Sequence, residues 1–337
     1  MRGHLYGGGA WLQGGAQRHA LADVALDTGT MRLTPLGFLA HAVAYHPTDP
    51  NRVAVFEKHG PGAAELDLGA GEVIRPIPTR PNRKFYGHGA YAADAAVVWS
   101  TESVVDDGLR GVLVVRDAAT LAELGELPTH GKAPHDCVLL SDQKTLVVTN
   151  GGGREGSRDR PSVVWIDAAS GRALETMLLE SSRFNAGHVA VDEATGDVAL
   201  VSAPRDGLPN PNTQLGAVSL GRRGGAFDTV RQPRAITRRM QGETLSVAVH
   251  GGRAIATHPL GNLVTLWEIA TGALIASWDL PEPRGVAVDP DGAWFLVSHK
   301  HLGSVVLSRI STTSGALDPN WTIDPSYTTG SHVFVRA

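Results

Sequence analysis

Five of the fourteen histidines of this chain begin short apolar runs that resemble one another. The runs are HAVAYHP from His41, HGAYAAD from His88, HDCVLLSD from His135, HVAVDEATG from His188 and HVFVRA from His332. Any one of them taken alone is readily explained as a turn residue, because glycine or proline precedes several of them. Five histidines at one repeated position exceed what chance would place there, so the pattern predicts a shared site.

Imidazoles that converge on one place have a definite chemistry. They cannot all be protonated, because neighbouring like charges lower each other's pKa. Neutral imidazoles whose lone pairs point to a common centre form a transition-metal site. Nitrogen ligands suit Fe, Cu, Zn or Ni and argue against Mg or Ca. We therefore expect five metal ligands, namely His41, His88, His135, His188 and His332.

The elements that carry these histidines form a repeat. Two further runs share the apolar pattern without the histidine, SVAVHGG from Ser246 and GVAVDPDG from Gly285, and the seven openings are 39 to 58 residues apart. A second apolar strand follows each of the first six openings, as NRVAVFE, AAVVWST, TLVVTN, DVALVSA, RAIATH and AWFLVSH. Third strands such as SVVWIDAASG end in hairpin turns. This period, with several strands per unit, is typical of propeller blades.

The two ends of the chain complement each other. The last run, HVFVRA, stops after one strand, and the N-terminus begins with what reads as a second strand, HLYGGGAW, and a third, ALADVALDTG. We predict an all-β fold, a seven-bladed β-propeller whose ring is closed by a blade shared between the N- and C-termini. Residues 1–337 form one domain, with blade openings near residues 41, 88, 135, 188, 246, 285 and 332. A β-sandwich followed by a second β domain is the alternative.

Propeller geometry predicts where the histidines lie. The innermost strand of each blade lines the central channel, and the residue at its entry can turn towards the axis, so the imidazoles would form a ring at one mouth. The second strand returns to that face, which puts its last residues at the rim. Possible rim residues or partners of the ligands are Glu102, Asn150, His258 and His299, whereas Glu57, His59 and His301 are better explained as solvated loop groups.

Composition excludes several classes of protein. The net charge of −4 and a pI near 6.4 do not favour nucleic-acid binding. The single cysteine, Cys137, permits neither an intramolecular disulfide nor a CxxC metal site. No apolar run has membrane-spanning length, and the first residues, MRGHLYGGGAWLQGG, carry no export signal. The chain is therefore expected in the cytoplasm if it is complete. The glycine-rich loop NGGGREGSRDR lacks a P-loop lysine, and no GxSxG elbow occurs.

Several motifs together resemble a known family. The segments FYGHGAY, STE, GVLVVRDA, HGKAPHD, TLVVTNGGG and PSVVWID, in that order, resemble the bacterial β-propeller family catalogued as domain of unknown function 1513. The likeness covers nearly the whole chain and is most specific from Phe85 to Asp167. It puts His88, Glu102, His135 and Asn150 on family motif positions.

The resemblance implies a cellular location and associated proteins, and it implies no particular reaction. Members often carry a twin-arginine leader and accompany iron-uptake and imelysin-like periplasmic proteins, which implies metal handling in the periplasm. This chain departs from the pattern in having Gly187-His188-Val189 where the family has Arg-His-Leu, REGSRDR in place of a Thr-His-Pro segment, and no leader. The histidine of the blade opening is kept through these departures.

Three functions are compatible with the sequence. The first is a transition-metal-binding propeller that handles iron or copper or takes part in redox chemistry. The second is a metal-dependent enzyme, oxidative or hydrolytic, that uses the same site with Glu102 as acid or base. The third is a protein-interaction scaffold, with a partner on the rim face and histidines that only fill the channel. Neither the metal, which could also be zinc, nor the presence of turnover follows from the residues.

Overall fold

The computed structural model describes residues 1–337, and nearly all of its regular structure is β-strand. Runs rich in valine, alanine and leucine form the strands, because the side chains of a strand alternate between two faces that neighbouring sheets cover. The other regular elements are the four-residue helix α1 (Arg234–Thr237) and 3₁₀ turns at Val105–Asp107, Pro211–Thr213 and Pro259–Gly261. None of these helices has the length and apolar character needed to cross a membrane. The predicted all-β class is confirmed.

The chain forms 28 strands. The first eleven are β1 (His4–Gln13), β2 (Ala16–Ala25), β3 (Met31–Leu36), β4 (Ala40–Tyr45), β5 (Arg52–Gly60), β6 (Ala63–Asp67), β7 (Glu72–Pro76), β8 (Arg83–Tyr91), β9 (Val97–Val104), β10 (Arg110–Asp117) and β11 (Glu123–Lys132). The next eight are β12 (Pro134–Leu139), β13 (Thr145–Asn150), β14 (Ser162–Asp167), β15 (Ala173–Leu178), β16 (Val189–Asp192), β17 (Asp197–Ser202), β18 (Ala217–Arg222) and β19 (Asp228–Thr229). The last nine are β20 (Val247–His250), β21 (Arg253–His258), β22 (Leu263–Glu268), β23 (Leu274–Trp278), β24 (Val286–Val288), β25 (Trp294–His301), β26 (Ser304–Ser311), β27 (Leu317–Ile323) and β28 (Val333–Arg336).

The strands form antiparallel sheets arranged as a β-propeller. Four sheets follow the chain in simple order, β12 to β15, β16 to β19, β20 to β23 and β24 to β27. A fifth four-stranded sheet has the order β28-β1-β2-β3. Strands β4 to β11 form a single eight-stranded sheet.

The predicted seven blades are not observed as separate sheets, since the structure has five separate four-stranded sheets and one eight-stranded sheet. Strand β5 causes the difference. Its first half pairs with β4 and β6, and its last residues pair with β8 at Lys58–Tyr86 and Gly60–Phe85. Strand β5 therefore forms hydrogen bonds in two units, the one that begins at β4 and the one that begins at β8. These hydrogen bonds join two units that the sequence pattern separates.

The two termini share a sheet. Strand β28 pairs antiparallel with β1, from His4 opposite Arg336 to Gly7 opposite Val333. Strand β1 is thus the second strand of its sheet and β2 the third, as the sequence pattern predicts. This pairing gives both chain ends hydrogen-bond partners and covers an edge that would otherwise be exposed.

Six of the seven openings predicted from sequence lie at or just before the start of the first strand of a unit, and His88 is the exception. His41 is the second residue of β4, and His135 is the second residue of β12. His88 lies within β8, and His188 and His332 immediately precede β16 and β28. Apolar side chains between neighbouring sheets form the core, as where Trp165 of β14 and Leu200 of β17 share one buried cluster.

Gly8 of β1 allows strand β4 to pack closely against β1. A Cβ atom at Gly8 would overlap the carbonyl oxygen of Ala40, the residue before His41. Since backbone atoms cannot move aside as a flexible side chain can, we predict that Gly8→Ala lowers the free energy of unfolding by about 3 kcal/mol. Urea unfolding measures the change.

Gly125→Ala is the matched control, because Gly125 also lies within a strand and a Cβ there meets no atom within 4 Å. We expect the control to change stability by less than about 1 kcal/mol. Equal effects of the two substitutions would contradict the close approach of β1 and β4.

Candidate metal centre

Five imidazoles, one from each predicted opening that has a histidine, lie together in the structure. The ring centroid of His41 is 4.7 to 5.5 Å from those of the other four, and the His188 and His332 centroids are 3.7 Å apart. Each of the five residues is only 3–6% exposed. We call this group the histidine cluster, and its members are His41, His88, His135, His188 and His332.

The ring nitrogens of the histidine cluster face one another. One nitrogen from each of His41, His88, His135 and His188 lies within 4.8 Å of those from the other three, a grouping that could hold a metal ion. The Nε2 atom of His41 is 3.3 Å from Nε2 of both His135 and His188. Two nitrogens bound to one tetrahedral metal at 2.0–2.1 Å would lie about 3.3 Å apart. The observed spacing therefore fits a shared ion.

Two further nitrogens of the histidine cluster have no partner in the protein. The Nε2 atoms of His88 and His332 are buried and form no hydrogen bond. An unsatisfied buried polar atom is costly, at about 1–3 kcal/mol. A ligand bound at the centre of the histidine cluster would remove that cost.

The opposite nitrogen, Nδ1, is held by a neighbouring group in three of the five rings. His88 Nδ1 is 2.9 Å from the Asp136 carboxylate, and His188 Nδ1 is 2.8 Å from the carbonyl oxygen of Leu245. A carbonyl oxygen only accepts, so His188 carries its hydrogen on Nδ1 and its lone pair on Nε2. Metal-binding histidines are typically oriented by contacts of this kind.

The two openings without histidine support His332. The Ser246 hydroxyl is 3.2 Å from His332 Nδ1 and also accepts a hydrogen bond from the backbone N–H of Val286. At Gly285, a Cβ atom would lie 2.5 Å from the backbone nitrogen of Val333. The serine thus orients the imidazole of His332, and the glycine leaves space for its backbone.

Threonine hydroxyls of the second strands tie neighbouring openings together. The Thr101 hydroxyl bonds to the carbonyl oxygens of both His88 and His135 at 3.1 Å. Thr149 donates to the carbonyl of Gly187 and accepts from the N–H of Asp136. These links hold the histidine-bearing backbones at fixed separations. The sequence signal is a serine or threonine at an equivalent position in five of the six second strands, and it is visible once the repeat is aligned: Thr101, Thr149, Ser202, Thr257 and Ser298.

Gly87 brings two histidines close together. It has a φ of +108°, which favours glycine, and a Cβ atom there would overlap the imidazole of His41. The residue before His88 therefore has no side chain because the ring of His41 occupies that space.

The four rim residues have partners elsewhere. Glu102 forms a 2.6 Å ion pair with Arg116, and its other oxygen accepts a hydrogen bond from Thr79. Asn150 donates to the carbonyl of Thr129.

Both nitrogens of His258 are bonded by threonine hydroxyls, and those of His299 by Ser308 and the carbonyl of Lys300. Successive residues of a strand point to opposite faces. Each of the four follows a threonine or serine whose hydroxyl bonds to the backbone of an opening, so its own side chain lies on the opposite face of the strand. In place of Glu102, Asn150, His258 and His299, the structure brings Asp136, Leu245 and Ser246 to the imidazoles.

Burial controls the charge of the histidine cluster. Desolvation holds the pKa of His41, His135, His188 and His332 well below the usual value, and the neighbouring imidazoles lower it further. The ammonium of Lys58 also lowers the pKa of His41, His135 and His332. Four of the rings are therefore neutral near pH 7, the state in which imidazole binds a metal. Outside the histidine cluster, burial lowers the pKa of His258 to about 3.

A cavity of about 240 Å³ reaches the histidine cluster at His135. Its other lining residues include Lys58, His59, Tyr86 and Glu243, so its wall is mostly polar. Of the residues that the sequence analysis assigned to solvated loops, His59 lines this cavity, whereas Glu57 accepts a hydrogen bond from the backbone of Gly62. His301 is exposed.

Comparison with known proteins adds a family and a fold. A family model described as "Protein of unknown function (DUF1513)" matches residues 34–324. No curated protein matches the chain. Among solved structures, hydrazine synthase of Kuenenia stuttgartiensis aligns with a TM-score of 0.68 at 16% identity, over 88% of this chain and 92% of that one. At that identity the likeness extends to the fold alone.

Buried neutral histidines predict a pH-dependent stability. The unfolded chain takes up protons near pH 6.5 and the folded metal-free protein does not, so stability is lost as pH falls below about 6.5. Between pH 7.0 and 5.5, one such histidine lowers the free energy of unfolding by about 1.2 kcal/mol. We therefore predict that the free energy of unfolding falls by about 1.2 kcal/mol less in His188→Gln than in the wild type between pH 7.0 and 5.5. Urea unfolding in the presence of a chelator measures the difference. The exposed His301 supplies the control His301→Gln, and an unchanged loss in His188→Gln would contradict the prediction.

Proposed function

The chain belongs to the family described as "Protein of unknown function (DUF1513)", a description that names no activity, and we propose from the site itself that the protein binds a transition metal in the histidine cluster. One observation carries this proposal. Ring nitrogens of four buried histidines lie within 4.8 Å of one another, and Nε2 of His41 lies 3.3 Å from Nε2 of both His135 and His188, the spacing of two ligands to one ion.

We propose His332 as the fifth ligand. Its ring lies against that of His188, and its Nε2 is buried without a partner while Ser246 holds its Nδ1. A ligand set made only of neutral nitrogens favours Fe, Cu, Zn or Ni over Mg or Ca. Iron or copper, with a role in metal handling or redox chemistry, is the assignment we favour. A periplasmic location accords with the family resemblance and is part of the same proposal.

The arrangement of sheets supports a central site. We propose that the eight-stranded sheet is two blades joined by the β5–β8 pairing, which would make seven blades of four strands each. The sheet shared by β28 and β1 would then close the ring. In a ring of this kind all the openings would lie at one mouth of the channel, and this would explain why histidines far apart in sequence meet.

A metal-dependent enzyme is the second candidate, and the cavity beside His135 favours it. An ion with a free coordination position there could meet a small molecule from solvent. The acid–base role considered for Glu102 has no support, because Arg116 holds its carboxylate in an ion pair inside the sheet. No contact of the structure bears specifically on a scaffold function.

Metal content tests the proposal directly. We expect protein purified without chelator to retain close to one transition-metal ion per chain, and metal-stripped protein to gain thermal stability when Cu²⁺, Fe²⁺, Zn²⁺ or Ni²⁺ is added. The double variant His41→Gln/His135→Gln should lose both properties, because it removes two of the closely spaced nitrogens. Elemental analysis and thermal unfolding are the measurements.

The variant His301→Gln serves as the control, since it removes an exposed imidazole outside the histidine cluster. Cooperative unfolding of the double variant must be verified first, so that loss of metal is not confused with loss of fold. Wild-type protein that holds no metal and shows no thermal shift with any of the four ions would refute the proposed function.

The carboxylate of Asp136 should tune the affinity for metal. It contacts His88 Nδ1 and accepts hydrogen bonds from the backbone of Cys137 and Val189. Loss of such a partner typically weakens metal binding 10- to 100-fold, so we predict a decrease of that size for Asp136→Asn in a competition assay with a chelator. Asp142→Asn is the matched control, because Asp142 lies in the loop before β13 and also accepts two backbone hydrogen bonds. Equal affinities of the two variants would contradict this role.

A further inference from the structure

Three rings in the wall of the cavity beside the histidine cluster lie in a row that ends at a cluster imidazole. The ring of His59 packs edge-on against Tyr86 at 4.4 Å, and the ring of Tyr86 lies 5.6 Å from that of His135. Lys58 is paired with Tyr86 across the two joined strands β5 and β8. A molecule in the cavity would therefore meet an ammonium group, a phenol and a cluster imidazole in one small space.

Both cations and carboxylates lie around the histidine cluster and its cavity. Lys58 acts electrostatically on three of its imidazoles, and Arg284 acts on His332. Asp136 is the one carboxylate in contact with a cluster ring. A divalent ion held by neutral imidazoles keeps nearly its full charge, and at a site of low dielectric that charge attracts a negatively charged partner.

The carboxylates that line the cavity do not remove this preference. Glu243 is already paired with the Lys58 ammonium at 3.3 Å, and Asp206 is exposed to solvent. An anion that pairs with Lys58 must displace Glu243, whose side chain is 38% exposed and can turn towards solvent. The cavity volume of about 240 Å³ suits a small occupant, because sites for drug-sized ligands measure about 300–1,000 Å³.

We propose that this cavity binds a small anion, a carboxylate or an oxoanion, between the metal ion of the histidine cluster and the Lys58 ammonium, with the Tyr86 hydroxyl as a further donor. The inference rests on the proposed metal site and names the class of molecule that site would receive. Lys58 supplies a charge-assisted hydrogen bond and Tyr86 a neutral one, so Lys58 contributes more of the affinity.

Anion titration of the cobalt-loaded protein tests the inference. Stripped protein is loaded with Co²⁺, whose visible absorption reports its ligands, and is titrated with sodium azide and with sodium formate. We expect both salts to change the spectrum saturably, and we expect the azide and formate affinities to fall by at least about tenfold in Lys58→Met and by a few-fold in Tyr86→Phe.

Lys300→Met is the matched control, because Lys300 is likewise paired with a glutamate, at 2.7 Å, and does not line the cavity. Its anion affinities should equal those of the wild type. Cobalt uptake is measured separately for each variant, and uptake by Lys58→Met shows that the variant is folded and loaded.

The outcomes separate the two proposals. Wild-type protein that takes up no Co²⁺ or other transition metal overturns both the proposed function and this inference. Protein that takes up Co²⁺ but binds azide and formate equally well in Lys58→Met and Lys300→Met overturns the inference alone. Unchanged spectra at saturating azide and formate also overturn it and leave the metal site in place.

Discussion

The structure depends on the burial of five imidazoles within a few ångströms of one another. Burial and mutual repulsion keep four of them neutral, and the nearby Lys58 ammonium strengthens that effect on three. Neutral rings avoid the large cost of buried charge, but they leave lone pairs and N–H groups that need partners. The unpartnered Nε2 atoms of His88 and His332 show that the protein alone does not satisfy all of them.

The surrounding fold is built to hold the imidazoles at these distances. Gly8 and Gly87 have no side chain because a Cβ would collide with the His41 backbone segment or with the His41 ring. Thr101 and Thr149 link one opening to the next through their hydroxyls. The glycines thus allow the histidine-bearing segments to pack closely, and the hydroxyl groups hold them in place by hydrogen bonds. The backbone position of each imidazole is fixed as a result.

Prediction from sequence succeeded where a property repeats along the chain. The strand units, the position of His41 and its four counterparts, and the pairing of β28 with β1 all follow from a recurring pattern of apolar residues and turns. Prediction was less complete where the outcome depends on the length of a strand or on the face of a strand that a residue occupies. The extension of β5 to Gly60 joins two units into one sheet. The residues after the hydroxyl positions lie on the opposite face of their strands, where Glu102, for example, is paired with Arg116.

The sequence by itself determined which side chains stand at equivalent positions, because a repeated strand pattern puts equivalent residues at equivalent places in each sheet. Only the tertiary structure decided which groups contact the imidazoles. The partner of His332 is Ser246, 86 residues away, and the partner of His88 is Asp136 from the next opening. Such pairs depend on the separation and rotation of neighbouring sheets, which result from packing across the whole molecule and leave no local signal in the chain.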